Sequence, residues 1–250
     1  AVDPTTPATV YAATDTGGND GVFRSSDGGL TWKRASDPQG LPHNFRITSL
    51  AIDPKNPSTV YAGLILNGVW KSTDGGAGWS AAGIQDAHVQ ALAVDASGTV
   101  FAGTVSQGIQ MSSDGGATWK ASTSDSGHKP KTYSIAVDPA APGTLYAGLA
   151  NQVIRSGDGG HSWKRLGGDF NYVNFRAIAL DPSGAIYLGS SRDGVLKSTD
   201  KGRTWQDAVV GLHPVDVSGL AIDPAAPRTI YVGNPQAGVY RSTDAGATWA

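Results

Sequence analysis

The sequence predicts an all-β chain made of six similar four-stranded units. Three observations predict it: one segment ending in tryptophan recurs, strand-forming residues alternate with turn formers, and no stretch keeps a helical apolar period. The recurring segments read SSDGGLTW, STDGGAGW, SSDGGATW, SGDGGHSW, STDKGRTW and STDAGATW, and they end at Trp32, Trp79, Trp119, Trp163, Trp205 and Trp249. These tryptophans are separated by 47, 40, 44, 42 and 44 residues, a period typical of repeat architectures.

Two further signatures divide each unit. The first, A-[VIL]-D, ends at Asp3, Asp53, Asp95, Asp138, Asp181 and Asp223. The second, of the VYAG type, is centred on Tyr11, Tyr61, Phe101, Tyr146, Tyr187 and Tyr231. In the second unit these signatures predict the strands ITSLAID, TVYAG and GVWKST, and a last strand that starts at Trp79.

Four-stranded units of about 43 residues repeated around a ring are typical of a β-propeller. We therefore predict one domain over residues 1–250, a six-bladed β-propeller of antiparallel blades. Neither end resembles a natural boundary, so the chain can also be six units of a seven-bladed or larger propeller within a longer protein.

Composition excludes several classes of function. The formal net charge is -2 and the pI is near 6.2, so there is no basic stripe for nucleic acid. Cysteine is absent, which excludes disulfides and thiolate chemistry. All 21 acidic residues are aspartate, which excludes chemistry that needs glutamate. No apolar run is long enough to span a membrane, and no cofactor is predicted.

The recurring segment resembles the BNR or Asp-box repeat, S-x-D-x-G-x-[ST]-W, over the whole chain. Five copies match it throughout, and the second departs only at Gly78. Propellers with this repeat include sialidases, xyloglucan-hydrolysing enzymes, sortilin-type receptors and photosystem II assembly factors, so the resemblance implies a fold but no single activity. A sialidase would need a glutamate-assisted tyrosine nucleophile. Xyloglucan-cleaving relatives use two aspartates, which the composition permits, but they resemble two propellers facing each other across a cleft.

The repeated residues are predicted to be structural. The carboxylates of the recurring segments are expected to accept backbone N–H bonds within the hairpin between the third and fourth strands; they are Asp27, Asp74, Asp114, Asp158, Asp200 and Asp244. The tryptophan rings are expected to cover this hairpin. Only the second glycine should need a positive φ, since the position before it admits Lys201 and Ala245.

A basic residue recurs on the third predicted strand of five units, and Met111 replaces it in the third unit. These bases are expected to lay their stems over the blade with their heads in water; they are Arg24, Lys71, Arg155, Lys197 and Arg241.

Binding is predicted at the connections that differ between units. In a propeller the two repeated turns share one face. The connections that differ between units share the other, and they include the long connections 35–46, 121–131, 165–175 and 206–216. Eight aspartates outside the repeated signatures fall in variable connections: Asp15, Asp20, Asp37, Asp86, Asp125, Asp169, Asp193 and Asp216.

One segment of these connections is the first candidate for a ligand platform, because aromatic faces beside amides and charges suit a sugar ring. It contains Asp169, Phe170, Asn171, Tyr172, Asn174, Phe175 and Arg176. The alternative is that the rings cover the blade. Asn44, Phe45 and Arg46 repeat the tripeptide that ends this segment, and two arginines near a channel can hold a carboxylate.

His43, His128 and His213 each precede the signature aspartate of the next unit by ten residues. They therefore fall in alternate units, where three imidazoles can converge on a transition metal. Solvated loop histidines are the favoured interpretation, and no metal site is predicted.

Taken together, these features predict a non-catalytic binding or scaffolding propeller that recognises a glycan or a protein through its variable face. The alternative is a glycoside hydrolase that uses two aspartates. The composition suggests a secreted or cell-surface bacterial protein, either a monomer or a module of a larger protein.

Overall fold

The chain is an all-β, six-bladed propeller of small antiparallel sheets, as the sequence predicts. The computed structural model describes residues 1–14, 21–35, 40–41, 46–124, 129–171, 173–213 and 216–250, without the side chains of residues 123 and 124. Within these ranges the backbone forms strands and turns and no helix, and therefore no helix that could cross a membrane.

The sheets are grouped into two compact units of three sheets each. The first unit comprises Ala1–Ser122 with Lys129–Lys131, and the second contains Thr132–Ala250. In the first unit, sheet 1 contains β1 (Val10–Thr14), β2 (Gly21–Ser25) and β3 (Lys33–Arg34); sheet 2 contains β4 (Ile47–Ile52), β5 (Val60–Leu64), β6 (Gly68–Ser72) and β7 (Ser80–Ala81); sheet 3 contains β8 (Val89–Val94), β9 (Val100–Thr104), β10 (Ile109–Ser112) and β11 (Lys120–Ala121).

The second unit continues the same order. Sheet 4 contains β12 (Thr123–Ser124), β13 (Thr132–Val137), β14 (Leu145–Leu149), β15 (Val153–Ser156) and β16 (Ser162–Arg165); sheet 5 contains β17 (Phe175–Leu180), β18 (Ile186–Ser190), β19 (Val195–Ser198) and β20 (Gln206–Asp207); sheet 6 contains β21 (Gly219–Ile222), β22 (Ile230–Asn234) and β23 (Gly238–Ser242).

Three sheets depart from the predicted four strands. Sheet 4 gains β12, which pairs in parallel with β16. In sheet 1 the place of a first strand is taken by Val2, which forms a single bridge to Val10. In sheet 6 the place of a fourth strand is taken by Ala250, which exchanges two backbone hydrogen bonds with Arg241. The fourth strands are short throughout, most of them two residues long.

The second strand of sheets 2 to 5 lies in the core, which explains the repeated VYAG signature, whereas β1 and β22 are only partly buried. All five residues of β5 are buried, and β9, β14 and β18 show the same pattern. Its glycine is required by the neighbouring sheet. A Cβ at Gly63 would lie 2.6 Å from Val89 Cγ1, and one at Gly189 would lie 2.4 Å from Val217 Cγ1.

Apolar clusters join consecutive sheets within each unit. In the first unit, Tyr11 and Val22 of sheet 1 pack with Val60 and Leu64 of sheet 2. In the second unit, one cluster joins sheets 4 and 5 and another joins sheets 5 and 6. Burial of these side chains is the main favourable term that holds neighbouring sheets together.

The backbone of the recurring turn differs from the expectation that only its second glycine has a positive φ. Both positions have one. The second ranges from 83° at Gly202 to 96° at Gly76, whereas the first lies near 70°, including 63° at Lys201 and 62° at Ala245. The first position is therefore the ordinary left-handed region, which residues other than glycine can enter at a cost.

We expect Lys201→Gly to raise the free energy of unfolding by about 1 kcal/mol, because it removes the strain of a side chain in the left-handed region. The neighbouring change Gly202→Ala is the matched control. It should destabilise the fold, since its Cβ would lie 2.5 Å from Leu166 Cδ1. Chemical denaturation of both variants checks this, and a Lys201→Gly variant that is less stable than the parent would contradict it.

Candidate functional site

Each sheet has one end with repeated turns and one end with variable connections. At the repeated end, Gly75 N donates to Ser58 O, so the turn after β6 touches the turn after β4. At the other end, Ile65 N donates to Arg46 O and Val105 N donates to His88 O. The residue before the first strand therefore lies beside the turn between the second and third strands. The variable end of the sheets is the candidate site.

The turns at the repeated end, called aspartate turns below, are closed by one hydrogen-bond network. In Ser25–Trp32, Ser25 Oγ donates to Asp27 Oδ1 at 2.7 Å and accepts from Gly29 N at 2.8 Å. Thr31 donates its amide to Asp27 Oδ1 and its hydroxyl to Oδ2. The other five turns repeat this pattern, but the second lacks the last bond because Gly78 replaces the hydroxyl residue.

These bonds stabilise the ionised carboxylates. The donated hydroxyl and amide hydrogens lower the pKa of Asp27, Asp158 and Asp200 to about 2, and they lower that of Asp74, Asp114 and Asp244 as well. Every carboxylate oxygen that closes the network is therefore used within its own turn. This arrangement fits the predicted structural role and leaves the aspartate turns outside the candidate site.

The tryptophans do more than cover their own hairpins, which the sequence did not predict. Trp32 and Trp79 donate their indole N–H to Gly29 O and Gly76 O of the same turn. Trp205 instead donates to Gly167 O and Trp249 to Ala208 O, both just after the fourth strand of the preceding sheet.

Trp119 donates both within its own turn, to Gly116 O, and to Ala82 O of the preceding sheet. Because the fourth strands are so short, each connection starts beside the next aspartate turn. The sequence predicts that the variable connections and the tryptophan hairpins lie at opposite ends of the sheets. This prediction is wrong for the first residues of the connections.

The bases of the third strands also differ from the prediction that their heads lie in water. Lys71 and Lys197 are directly opposite Tyr61 and Tyr187, and their Nζ atoms lie 5.6 and 5.2 Å from the ring centroids. Lys71 Nζ also donates to Gly115 O, and Lys197 Nζ to Ala245 O, in the aspartate turn of the following sheet. These ammonium groups link neighbouring sheets by cation–π contacts and hydrogen bonds.

The residues of the predicted ligand platform differ in burial, because its phenylalanines pack against the sheet and most of its described polar residues are exposed. Phe175 is fully buried, so its inclusion in a surface platform is wrong. Its ring packs edge-on against Phe170 at 4.7 Å between centroids, and Phe170 lies 6.3 Å from Trp205. These rings cover the sheet, because an aromatic side chain at the start of β17 is drawn into the space between sheets 4 and 5. Asp169 and Asn171 are exposed, and Tyr172 lies outside the described residues.

Arg176 and Asp216 form an ion pair across two sheets. Arg176 Nη1 lies 3.0 Å from Asp216 Oδ1, and the side chains are 39% and 26% exposed. The half-exposed pair is partly screened by water, and it joins the start of sheet 5 to the start of sheet 6. Asn174 is held by its backbone, which donates to Ser191 Oγ and accepts from Ser191 N.

The remaining candidate residues are not brought together by the described structure. His43, Asn44, Phe45 and His128 lie outside the described residues, and Arg46 and His213 are exposed. Among the described residues no group of three or more histidines or carboxylates is arranged to hold a metal. Asp15, Asp20, Asp37 and Asp125 are also outside the described part, whereas Asp86 and Asp193 are exposed at the variable end.

Two asparagines at the variable end were not singled out from the sequence. Asn151, with a φ of 58°, accepts the Val173 amide through Oδ1 at 2.8 Å. Asn234 donates from Nδ2 to Asp216 O and accepts the amides of Gln236 and Ala237. Both fix connections at the candidate site. The signal was an asparagine at the end of the VYAG-type strand or two residues beyond it, a residue that tolerates tight turns.

The chain is similar in sequence to xyloglucanases. It is 28% identical over 221 residues to the xyloglucanase Xgh74A of Acetivibrio thermocellus, covering 82% of this chain and 24% of that protein. It is 27% identical over 259 residues to a xyloglucanase of a Paenibacillus species, covering 92% of this chain and 23% of that protein. The chain thus spans about a quarter of the length of these relatives. No family model matches it.

Solved structures show the same fold. The GH74 xyloglucanase of Xanthomonas campestris superposes with a TM-score of 0.77 at 20% identity, covering the whole of this chain and 44% of that one. The GH74 enzyme of Niastella koreensis gives a TM-score of 0.74 at 23% identity, with the same coverage. At these identities the likeness establishes the propeller fold and nothing more specific. The similarity in sequence favours the glycoside hydrolase alternative over non-catalytic binding.

We expect Gly78→Thr to stabilise the second aspartate turn. The hydroxyl restores the bond to Asp74 Oδ2 that the other five turns possess, and the loss of a glycine reduces the freedom of the unfolded chain, together worth about 0.5 to 1 kcal/mol. A thermal unfolding scan measures the gain, and Ala77→Thr in the same turn is the control. An unchanged or lower Tm would contradict this expectation.

Acid should unfold the protein through these turns. A folded-state pKa of about 2 for Asp27, Asp158 and Asp200 lies below the unfolded value near 3.9. Their contribution is therefore fully present above about pH 4 and is lost as the pH falls towards 2. We expect Tm to drop over this interval. Asp200→Asn should lower Tm at pH 7 and flatten its acid dependence, whereas Asp86→Asn should leave the acid dependence unchanged.

Proposed function

We propose that this chain is the propeller part of a glycoside hydrolase that acts on xyloglucan or a related β-glucan, with the variable end of its sheets as the substrate surface. The observation that carries the proposal is the sequence similarity to xyloglucanases over 82% and 92% of the chain. Because the chain spans about a quarter of these relatives, the hydrolytic activity is part of the proposal.

The residues at the variable end suit a neutral polysaccharide. Asp86, Asp169 and Asp193 are exposed there, and the exposed Asn171 adds an amide. Such groups donate and accept hydrogen bonds with sugar hydroxyls, and carboxylates are the groups that glycosidic hydrolysis requires. Phe170, the residue between Asp169 and Asn171, is half-buried against Phe175 and Trp205. These ring contacts fix the backbone that carries both polar side chains.

Hydrolysis would use two aspartates in separate roles. One protonated carboxyl donates its proton to the glycosidic oxygen as the bond to the anomeric carbon breaks. The other is a carboxylate that either deprotonates the attacking water or attacks the anomeric carbon itself. Water supplies the hydroxyl group of the new reducing end, and its second proton restores the acid. Glutamate, the usual other carboxyl group in these roles, does not occur in the sequence.

A chain that acts on a polysaccharide meets its substrate outside the cell, since a polymer of this kind does not cross a membrane unaided. The proposal therefore includes secretion or display at a cell surface.

A second candidate function is non-catalytic recognition of a glycan or a protein at the same surface. The Arg176–Asp216 ion pair favours it, because the pair engages one of the eight carboxylates on which hydrolysis would depend. In this case the surface would bind its ligand without cleaving it.

Incubation with xyloglucan, other β-glucans and sialosides tests the proposal by the release of reducing ends. We expect turnover of xyloglucan. Among the eight aspartates that the sequence places in variable connections, two should each lower kcat by at least about 100-fold when changed to asparagine. Asp207→Asn, on the fourth strand of sheet 5, is the matched control and should keep full activity.

Binding of xyloglucan without release of reducing ends would replace the proposal with the second candidate. Turnover that survives all eight asparagine variants would exclude aspartate catalysis at this surface. Neither binding nor turnover of any of these glycans would contradict both functions as glycan-directed activities.

A further inference from the structure

Two clefts at the outer edge of the sheets are lined by the same basic residues. The first, about 340 Å³ in volume, is lined by Arg24, Lys33 and Arg34, with Thr31 and Asp74 beside them. It lies within the first unit, between the aspartate turns of sheets 1 and 2. Three bases face one carboxylate among its lining residues.

The second cleft repeats this composition within the second unit. It has a volume of about 430 Å³ and is lined by Arg155, Lys164 and Arg165, with Ser162 and Asp158 beside them. The two clefts share the sequence [ST]-W-K-R. In the other four sheets the tryptophan is followed by Ser80–Ala81, Lys120–Ala121, Gln206–Asp207 or Ala250. Two adjacent bases therefore follow the tryptophan only in sheets 1 and 4.

The strand register sets like charges directly against each other. Arg24 is the cross-strand partner of Lys33, and Arg155 is that of Lys164. Opposed charges of the same sign destabilise a sheet, so folding alone does not favour this pairing. In sheet 2 the equivalent partner of Lys71 is the neutral Ser80.

Among the described residues of the second cleft, the carboxylate does not accept a hydrogen bond from the neighbouring bases. Asp158 Oδ1 accepts from Ser156 Oγ and Ser162 N, and Oδ2 accepts from Ser162 Oγ, all within its own turn. Arg155 donates from Nη2 to Thr144 Oγ1, and its buried Nε has no hydrogen-bond partner among the described residues. Lys33, Lys164 and Arg165 are exposed. The second cleft therefore holds more donors than acceptors.

We propose that these two basic clefts are binding sites for an oxyanion. Guanidinium groups bind sulfate, phosphate and carboxylate oxygens through paired N–H donors, and an adjacent ammonium adds charge. The bound anion would also relieve the repulsion between the opposed bases. The oxyanion is supplied either by a small inorganic anion or by the carboxylates along a uronate polysaccharide. This site is separate from the variable end and does not depend on the proposed action on β-glucan.

The test measures binding of inorganic sulfate and of polygalacturonate by isothermal titration at low ionic strength. Two variants each replace the two adjacent bases of one cleft with the residues that sheet 2 has there: Lys33→Ser with Arg34→Ala, and Lys164→Ser with Arg165→Ala. Because Ser80 and Ala81 occupy these positions in sheet 2, the fold should be retained. Arg24 and Arg155 are kept, since they lie near the rings of Tyr11 and Tyr146. Lys120→Ala, which removes a base opposite Met111, is the control.

We expect two sulfate equivalents for each chain, one equivalent for either double variant and none for the variant that combines both. Lys120→Ala should keep both sites, and added sodium chloride should weaken binding because the attraction is electrostatic. Binding of sulfate alone would identify a small-anion site. Binding of polygalacturonate at least tenfold tighter than sulfate, and lost in the combined variant, would identify the polymer as the source of the oxyanion.

The proposal is overturned if neither probe binds the parent protein, or if the combined variant binds both as well as the parent does. Sulfate also stabilises proteins in general, so a thermal shift counts only as the difference between the parent and the combined variant. Equal shifts in the two would overturn the proposal as well. Xyloglucan turnover is measured on the same variants. Its loss in an Asp→Asn series, with sulfate binding intact, would separate the two functions.

Discussion

The network inside each aspartate turn is the interaction on which the rest of the structure depends. In all six turns, a serine hydroxyl donates to an aspartate carboxylate, and both groups accept hydrogen bonds from backbone amides. These bonds close the hairpin between the third and fourth strands. A fourth strand of two residues has too few ladder bonds to position itself. The closed turn therefore takes over that task and, in Trp119, Trp205 and Trp249, also presents the tryptophan to the preceding sheet.

From that turn the sheets are joined to one another. The indoles of Trp205 and Trp249 donate to the preceding sheet, and Lys71 and Lys197 reach from one sheet to the aspartate turn of the next. In sheet 3, Phe101 and Met111 stand opposite each other in place of the tyrosine and the base. Both members of the ring–cation pair are therefore replaced at the same place. The links explain why the repeated end of the sheets is uniform and why glycan recognition is proposed at the variable end.

The variable end and the basic clefts have different chemistry, and this difference separates the two proposals. The variable end presents carboxylates and amides, which suit the hydroxyls of a neutral glucan. The clefts present guanidinium and ammonium groups at the outer edge of the sheets, which suit an anion. Two surfaces with such different partners can act on one composite polysaccharide or on two separate ligands, because neither set of residues takes part in the other.

The sequence by itself determined the elements that depend on neighbouring residues: the number of units, the strand positions and the aspartate turns. These follow from β-propensity, glycine and short-range side-chain bonds, all of which are encoded within a few residues. Xyloglucan hydrolysis was among the activities that the resemblance to Asp-box propellers implied, although the sequence favoured non-catalytic binding. Only the tertiary structure decided that Phe175 is buried, that Trp205 bonds to the preceding sheet and that Lys33 stands opposite Arg24. Each of these depends on how closely one strand or sheet approaches another, a distance that no local pattern specifies.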